Sequence, residues 1–329
     1  MNELADDYSE QIRRVEYYKL IGDDVQVFDA CTKAINIAPT PYLLVTKGEA
    51  ALAVGRPQEA LEVLDNLLVL EDRALIAIVQ QYRGAALSML GKLEAALDAC
   101  SMSLVAQRNP LVFITRGEIL YKMKKYYDAL GDYLDAEKLG GAPHLYHNIA
   151  CAYLALREPK TALEYLNKQL SLGEDPLSLE VRALTYEDIG ENKKAIADLF
   201  RALEIEPTPT RYFYLGNICI KEHDIKAASN CFDKALELEP NNFTVRTHKA
   251  NSLALQGLLE EALELYNTLL EECPDADLVR LNRSHVYDAL GRVKESNKDL
   301  AFVKKRNPEL YKRSQEAQGS IWILQEEGK

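Results

Sequence analysis

The sequence lacks the motifs that mark several classes of protein. It contains no glycine-rich phosphate-binding loop, no serine nucleophile elbow and no His-Glu-x-x-His helix, which argues against the commonest enzyme classes. Apolar runs such as Ile76–Val79 fall far short of a membrane span. We therefore predict a protein that is not an enzyme, binds no cofactor and does not insert into a membrane.

Positive charge is also scarce. The chain has 39 Lys and Arg against 51 Asp and Glu, and its formal net charge is −12. Because contacts to phosphate require clustered Lys and Arg, we expect no nucleic-acid partner. One stretch, residues 292–313, is locally basic. A solvated helix face or a docking patch for an acidic protein would each explain it.

The first residues, MNELADDYSEQIRR, contain no apolar signal-peptide core, so we expect a cytoplasmic protein. Six cysteines are present, and most fall at positions that would pack between helices. They favour reduced, mostly buried thiols over disulfides. The six are Cys31, Cys100, Cys151, Cys219, Cys231 and Cys273.

What the chain does contain is a repeat. Five alanines follow one another at intervals of 33, 33, 33 and 34 residues: Ala129, Ala162, Ala195, Ala228 and Ala262. A small residue precedes each alanine by twelve positions: Gly117, Ala150, Ala183, Gly216 and Ala250. Glycines recur at another fixed place in the frame: Gly22, Gly55, Gly91, Gly190, Gly257 and Gly291. Prolines close several units: Pro207, Pro240, Pro274 and Pro308.

The unit from Pro209 to Pro240 shows why these residue types recur. Small Gly216 and Ala228 let two helices approach closely, and Phe232 fills the space that the crossing leaves open. The recurring glycines predict the turn between the two helices, because glycine enters the left-handed conformation without a steric penalty.

This frame resembles the tetratricopeptide repeat, a helix–turn–helix unit that stacks into a solenoid. The resemblance implies an all-α, right-handed superhelical solenoid with a C-terminal capping helix. We predict nine repeats over residues 1–308, the first being degenerate because Val15 and Val27 replace small residues. The repeats are predicted to begin near Tyr8, Pro41, Ala77, Pro110, Pro143, Pro176, Pro209, Phe243 and Asp277.

Residues 309–329 are predicted to form the capping helix and tail. The apolar positions of this stretch are Leu310, Ala317, Ile321 and Leu324, together with Ser314 and the single tryptophan, Trp322. A separate anchor for a partner at residues 321–324 is the alternative, since Gly319 interrupts the stretch.

The first helices of the repeats should line a concave groove, where we predict a peptide-binding site. Asparagine both donates and accepts hydrogen bonds, so a file of asparagines suits the backbone of an extended peptide. Histidines on the same face predict binding that changes between about pH 5.5 and 7.5. Solvated polar residues on an open face are the alternative, and the asparagines alternate between positions six and nine of the frame. The candidate groove residues are His147, Asn148, Phe213, Tyr214, Asn217, His248, Asn251, Asn282 and His285.

Two more specific sites fit poorly. A metal held by His144, His147 and Cys151 needs a fourth ligand that the pattern does not supply, so we predict no metal. The carboxylate clamp by which the family captures Hsp70 or Hsp90 tails is disfavoured, because Tyr311 and Gln315 stand where the clamp needs cations.

The resemblance therefore predicts a non-enzymatic scaffold or adaptor that binds a protein or peptide partner in its groove. A constitutive subunit of a large multiprotein assembly, contacted through its convex face or its ends, is the alternative function.

Overall fold

The computed structural model of the chain describes residues 2–69, 72–141 and 143–316. Within these residues there are nineteen α-helices and no strand. None of these nineteen helices is long and apolar enough to cross a membrane. The all-α helical repeat solenoid that the sequence predicts is confirmed.

The chain divides into two compact units, Met1–Ser171 and Leu172–Lys329. Successive helices in each unit pair into helix–turn–helix hairpins, with a first and a second helix. The first unit contains α1 (Asn2–Ile21), α2 (Asp24–Ile37), α3 (Pro41–Ala53), α4 (Pro57–Asp65), α5 (Arg73–Met89), α6 (Leu93–Ala106), α7 (Pro110–Lys122), α8 (Tyr126–Lys138), α9 (Leu145–Ala155) and α10 (Pro159–Leu172), which ends at the boundary. The second contains α11 (Pro176–Asp188), α12 (Asn192–Ile205), α13 (Pro209–Lys221), α14 (Ile225–Leu238), α15 (Phe243–Leu255), α16 (Leu259–Glu272), α17 (Asp277–Ala289), α18 (Val293–Arg306) and α19 (Pro308–Glu316).

Most first helices begin at the predicted residue, because proline suits the first helical position and a polar side chain caps the helix. At α13, for example, the Thr208 hydroxyl accepts a hydrogen bond from the backbone N–H of Arg211. Three starts differ: α1 begins six residues before Tyr8, α5 four residues before Ala77 and α9 two residues after Pro143. Asp72 caps α5 by accepting hydrogen bonds from the N–H groups of Ala74 and Leu75, so the helix gains a turn.

The predicted turn glycines all lie in the left-handed region, with φ between +71° and +81° at Gly22, Gly55, Gly91, Gly190, Gly257 and Gly291. Three other hairpins place a residue with a side chain at the same position. Lys124, Arg157 and His223 have φ of +60°, +64° and +63°. The turn geometry is therefore kept even where glycine is not, at the cost of backbone strain.

Close helix crossings explain the small residues of the frame. A Cβ atom on Gly216 would lie 2.6 Å from the Phe232 ring, and one on Gly117 would lie 2.5 Å from the Tyr133 ring. Phe232 is fully buried. At these two crossings an added Cβ atom would clash with the aromatic ring, whereas in repeat eight alanine, Ala250, stands at the corresponding position opposite Tyr266.

Three hairpins share an ion pair that the repeat frame did not reveal. An arginine on the first helix donates two hydrogen bonds, each of 2.7 or 2.8 Å, to an aspartate on the second. The arginine is the seventh residue of the repeat and the aspartate lies sixteen residues later. The pairs are Arg116–Asp132, Arg182–Asp198 and Arg283–Asp299.

The last described helix, α19, packs on the hairpin α17–α18. Leu310 lies in one apolar cluster with Leu281 and Val303, and Ser314 is buried. The remaining predicted contacts of residues 309–329, at Ala317, Ile321, Trp322 and Leu324, fall outside the described residues.

Candidate functional site

We call the surface formed by the first helices of a unit its first-helix face. The nine candidate residues all lie on first helices. His147 and Asn148 are on α9 of the first unit, and the other seven are on α13, α15 and α17 of the second unit. The two sets are therefore described separately.

Asn251 and Asn282 are deeply buried, with 2% and 1% of their surface exposed. The Asn282 amide donates to Asn251 Oδ1 at 2.9 Å, and the Tyr266 hydroxyl donates to the same oxygen at 2.7 Å. Their hydrogen-bonding groups are thus used within the chain. Position nine of one repeat meets position six of the next here, which explains the different positions of Asn251 and Asn282.

Tyr266 is the member of this network that sequence reasoning missed. It stands on the second helix α16, one repeat after Phe232, and is fully buried. A tyrosine in place of a phenylalanine at a core position was the available signal, because a buried hydroxyl needs a hydrogen-bond partner.

The first unit repeats the contact between positions nine and six. Asn148 Nδ2 donates to Glu118 Oε1 at 3.2 Å, from α9 to α7. Partial burial raises the pKa of Glu118, whereas the hydrogen bond from Asn148 and the charge of Lys122 act in the opposite direction.

His248 lies inside the packing between repeats. Its ring meets Phe213 edge-to-face, with centroids 4.8 Å apart, and lies 5.7 Å from Phe232. Burial lowers the pKa of His248 to about 4, so the imidazole is neutral at pH 7. Burial also lowers the pKa of half-buried His285, against an opposing effect of Asp288. For His248 the expected change of charge between pH 5.5 and 7.5 was therefore wrong, and for His285 it stays a prediction.

Three candidate residues of α13 remain partly open: Phe213, Tyr214 and Asn217, which we call the Tyr214 patch. The two rings lie 6.2 Å apart. Asn217 Oδ1 is buried yet accepts no hydrogen bond from the described residues.

The carboxylates around Tyr214 are already paired with cations. Burial raises the pKa of Tyr214, and the charges of Glu180 and Glu187 raise it further. Arg211 Nε donates to Glu180 at 2.8 Å, and Lys221 Nζ donates to Glu187 at 2.6 Å. The patch is thus chiefly aromatic and amide in character, rather than a site of unpaired negative charge.

The residues considered for a metal do not share one helical face. His144 lies before α9 with φ of +63°, so only His147 and Cys151 follow helical spacing. Their Nε2 and Sγ atoms are 3.6 Å apart. Burial raises the pKa of Cys151 to about 11, which keeps the thiol protonated. No group of three His, Cys, Asp or Glu suited to a metal occurs in the described part of the chain.

Profiles of the tetratricopeptide repeat match residues 45–110, 143–175 and 209–242. Human tetratricopeptide repeat protein 13 is 29% identical over 130 residues, which are 39% of this chain and 14% of that protein. Human protein O-mannosyl-transferase TMTC3 is 30% identical over 168 residues, 47% of this chain and 18% of that protein. The chain thus spans less than a fifth of either relative.

Among solved structures, the APC/C hetero-tetramer Cut9–Hcn1 has a similar fold. The TM-score is 0.57 at 18% identity, over 82% of this chain and 52% of that one. At this identity the likeness concerns the fold alone.

Proposed function

The chain belongs to the tetratricopeptide repeat family, and we propose that it is a non-enzymatic scaffold that binds an extended peptide segment on its first-helix face. Solenoids of this family are protein–protein interaction scaffolds. Rigid hairpins hold side chains at fixed intervals, so the ordering cost of binding falls mainly on the peptide. The transferase activity named for TMTC3 is not carried over, since the match covers 18% of that protein.

The unpaired Asn217 Oδ1 is the observation that carries the proposal. An unpaired buried acceptor costs about 1–3 kcal/mol, and the Asn217 side chain is partly exposed, so turning its amide towards a donor from a ligand is favoured. A backbone N–H of an extended peptide supplies such a donor whatever its side chain. Phe213 and Tyr214 add rigid aromatic contact area beside it.

The nine candidates divide into two roles under this proposal. His248, Asn251 and Asn282 hold neighbouring repeats together from within. The Tyr214 patch and His285 face a ligand in the second unit, and His147 and Asn148 do so in the first.

The test begins with a partner captured from the native cell and mapped to one binding peptide. Affinity for that peptide is then measured with Asn217→Ala and with Asn230→Ala, the matched control on the exposed side of α14. Losing one hydrogen bond, which contributes about 0.5–1.5 kcal/mol, should weaken the affinity of Asn217→Ala about 2- to 13-fold. The affinity of Asn230→Ala should stay at the wild-type value. Equal affinity of both variants, with wild-type helical content, would contradict binding at the Tyr214 patch.

A second function, as a constitutive subunit of an assembly, has its own support. Large apolar side chains are exposed on second helices: Met102 of α6 (58%), Tyr127 of α8 (76%) and Phe200 of α12 (55%). The similar Cut9 fold was solved within a hetero-tetramer. If Phe200→Ser abolishes partner capture while Asn217→Ala does not, this second function replaces the first.

A further inference from the structure

Two thiols meet in the hairpin that carries the Tyr214 patch. Cys219 of α13 and Cys231 of α14 are 6% and 8% exposed and lie in one apolar cluster with Leu215 and Phe232. A side-chain hydrogen bond between the two thiols is the largest influence on the pKa of each. The two sulfurs are therefore neighbours across a helix–helix contact.

Other repeats provide an independent check that these two frame positions face each other. Two repeats earlier, Tyr153 and Tyr165 occupy the same two frame positions, and their rings stack with centroids 5.6 Å apart. The Cys231 position is also that of the aspartate in the three Arg–Asp pairs. In this hairpin Leu215 stands where the arginine would be, so no arginine faces Cys231, which shares an apolar cluster with Cys219.

We propose that Cys219 and Cys231 form a redox site, closing a disulfide across the hairpin α13–α14 when a hydroperoxide reaches it. The Cys219 thiolate attacks the peroxide, which gives a sulfenic acid and releases water or an alcohol after protonation. The Cys231 thiol then attacks that sulfur, forms the S–S bond and releases water. Two thiols are oxidised, the O–O bond is reduced, and no other reactant is needed.

The hydrogen bond also affects the two thiols differently. It lowers the pKa of the Cys219 thiol, against the opposing effect of burial, and raises the pKa of Cys231. The proposed order, in which Cys219 attacks and Cys231 resolves, follows these directions, and the opposite order would give the same disulfide. By contrast, burial raises the pKa of Cys31 to about 11 and that of Cys100 to about 12, so these thiols are poor nucleophiles.

The disulfide has a consequence that rests on the proposed function. Asn217 lies two residues before Cys219, so a covalent link that fixes α13 against α14 also fixes the Tyr214 patch. Affinity for the peptide partner is then expected to differ between the oxidised and reduced protein. The disulfide itself is detected without any partner, so the redox site and the peptide-binding function can be rejected independently of each other.

The test uses the full chain carrying Cys273→Ser, because Cys273 is exposed and would otherwise cross-link two molecules. Reduced protein is treated with hydrogen peroxide, blocked with N-ethylmaleimide and digested with trypsin. The expected product joins the peptides YFYLGNICIK (212–221) and AASNCFDK (227–234) with the loss of two hydrogens, and dithiothreitol separates them. A rise in melting temperature should accompany oxidation and be absent in Cys219→Ser.

Recovery of both peptides only in blocked, unlinked form, with no change in melting temperature, would overturn the proposal. The same holds if the link joins either peptide to Cys31 or Cys100 instead. Cys219→Ser serves as the main control and Cys231→Ser as the second, and since each removes a buried thiol, the helical content of both variants is checked by circular dichroism.

Discussion

Repeats seven and eight, the hairpins α13–α14 and α15–α16, are adjacent and built on one frame, yet they satisfy their polar groups differently. In repeat eight, Asn251 accepts hydrogen bonds from Tyr266 and Asn282, and Gly257 makes the turn. In repeat seven, Asn217 Oδ1 accepts none from the described residues, and His223 makes the same turn with φ of +63°.

The difference shows that residue type and frame position do not decide whether an asparagine is structural or available. Asn217 and Asn251 are both at position nine. The partner on the next first helix decides: Asn282 donates a hydrogen bond to Asn251, whereas the following position six beside Asn217 holds His248, packed among aromatic rings. Repeat seven combines an unpaired acceptor with a strained turn, a combination found at functional sites, although repeat eight also has buried atoms without a partner among the described residues, Arg246 Nε and His248 Nδ1.

The largest expected effect on stability comes from removing the Asn251 hydrogen bonds in repeat eight. Asn251→Ala leaves the Tyr266 hydroxyl and the Asn282 amide without their acceptor in the core. At about 1–3 kcal/mol for each of the two groups that lose this acceptor, we expect a loss of about 2–6 kcal/mol in the free energy of unfolding. Urea unfolding followed by circular dichroism measures it, with exposed Asn230→Ala as the control that stays at wild-type stability. A loss below about 1 kcal/mol would mean that the network contributes little.

The next effect probes the contact between the two repeats through pH. Since burial lowers the pKa of His248 to about 4, the unfolded state binds the proton first as pH falls. Its stabilisation is fully present above the unfolded pKa of about 6.5 and is lost progressively towards pH 4. The loss is on the order of 3 kcal/mol.

His248→Phe removes the titrating ring and should flatten this pH dependence relative to the wild type. Urea unfolding of both proteins at pH 7, 6, 5 and 4.5 provides the comparison, since carboxylates titrate alike in both. Parallel stability curves for the two proteins would show that the imidazole is protonated inside the fold.

A smaller effect compares the two turns. His223→Gly should stabilise repeat seven by about 1 kcal/mol or less, because glycine relieves the left-handed strain but has more freedom when unfolded. Gly257→Ala should destabilise repeat eight by about 1 kcal/mol. The added methyl group meets nothing within 4 Å, so this change tests the backbone alone. Thermal unfolding measures the change in stability for each variant. If both substitutions changed stability in the same direction, the result would argue against strain at His223.

Much of the fold could be predicted because the repeat frame marks it locally. Proline begins α7, α11 and α13, and glycine marks most turns. The turn at His223 was not assigned a left-handed residue, although counting 33 residues on from Gly190 reaches it. Contacts between helices were harder to predict. The network of Asn251 depends on which side chain the next repeat brings against it, and neither propensity nor spacing contains that information.

The smallest expected effect on stability concerns Asn217 in repeat seven. Replacing Asn217 by leucine removes an acceptor that has no partner among the described residues, so no hydrogen bond is lost. We expect a free energy of unfolding within about 0.5 kcal/mol of the wild type, or slightly higher, because removing an unsatisfied polar group offsets the imperfect fit of the new side chain. Urea unfolding alongside Asn251→Leu makes the comparison direct, since the same substitution should be strongly destabilising at the same position of repeat eight. Equal losses in both variants would show that Asn217 is a structural residue and would remove the main support for peptide binding at the Tyr214 patch.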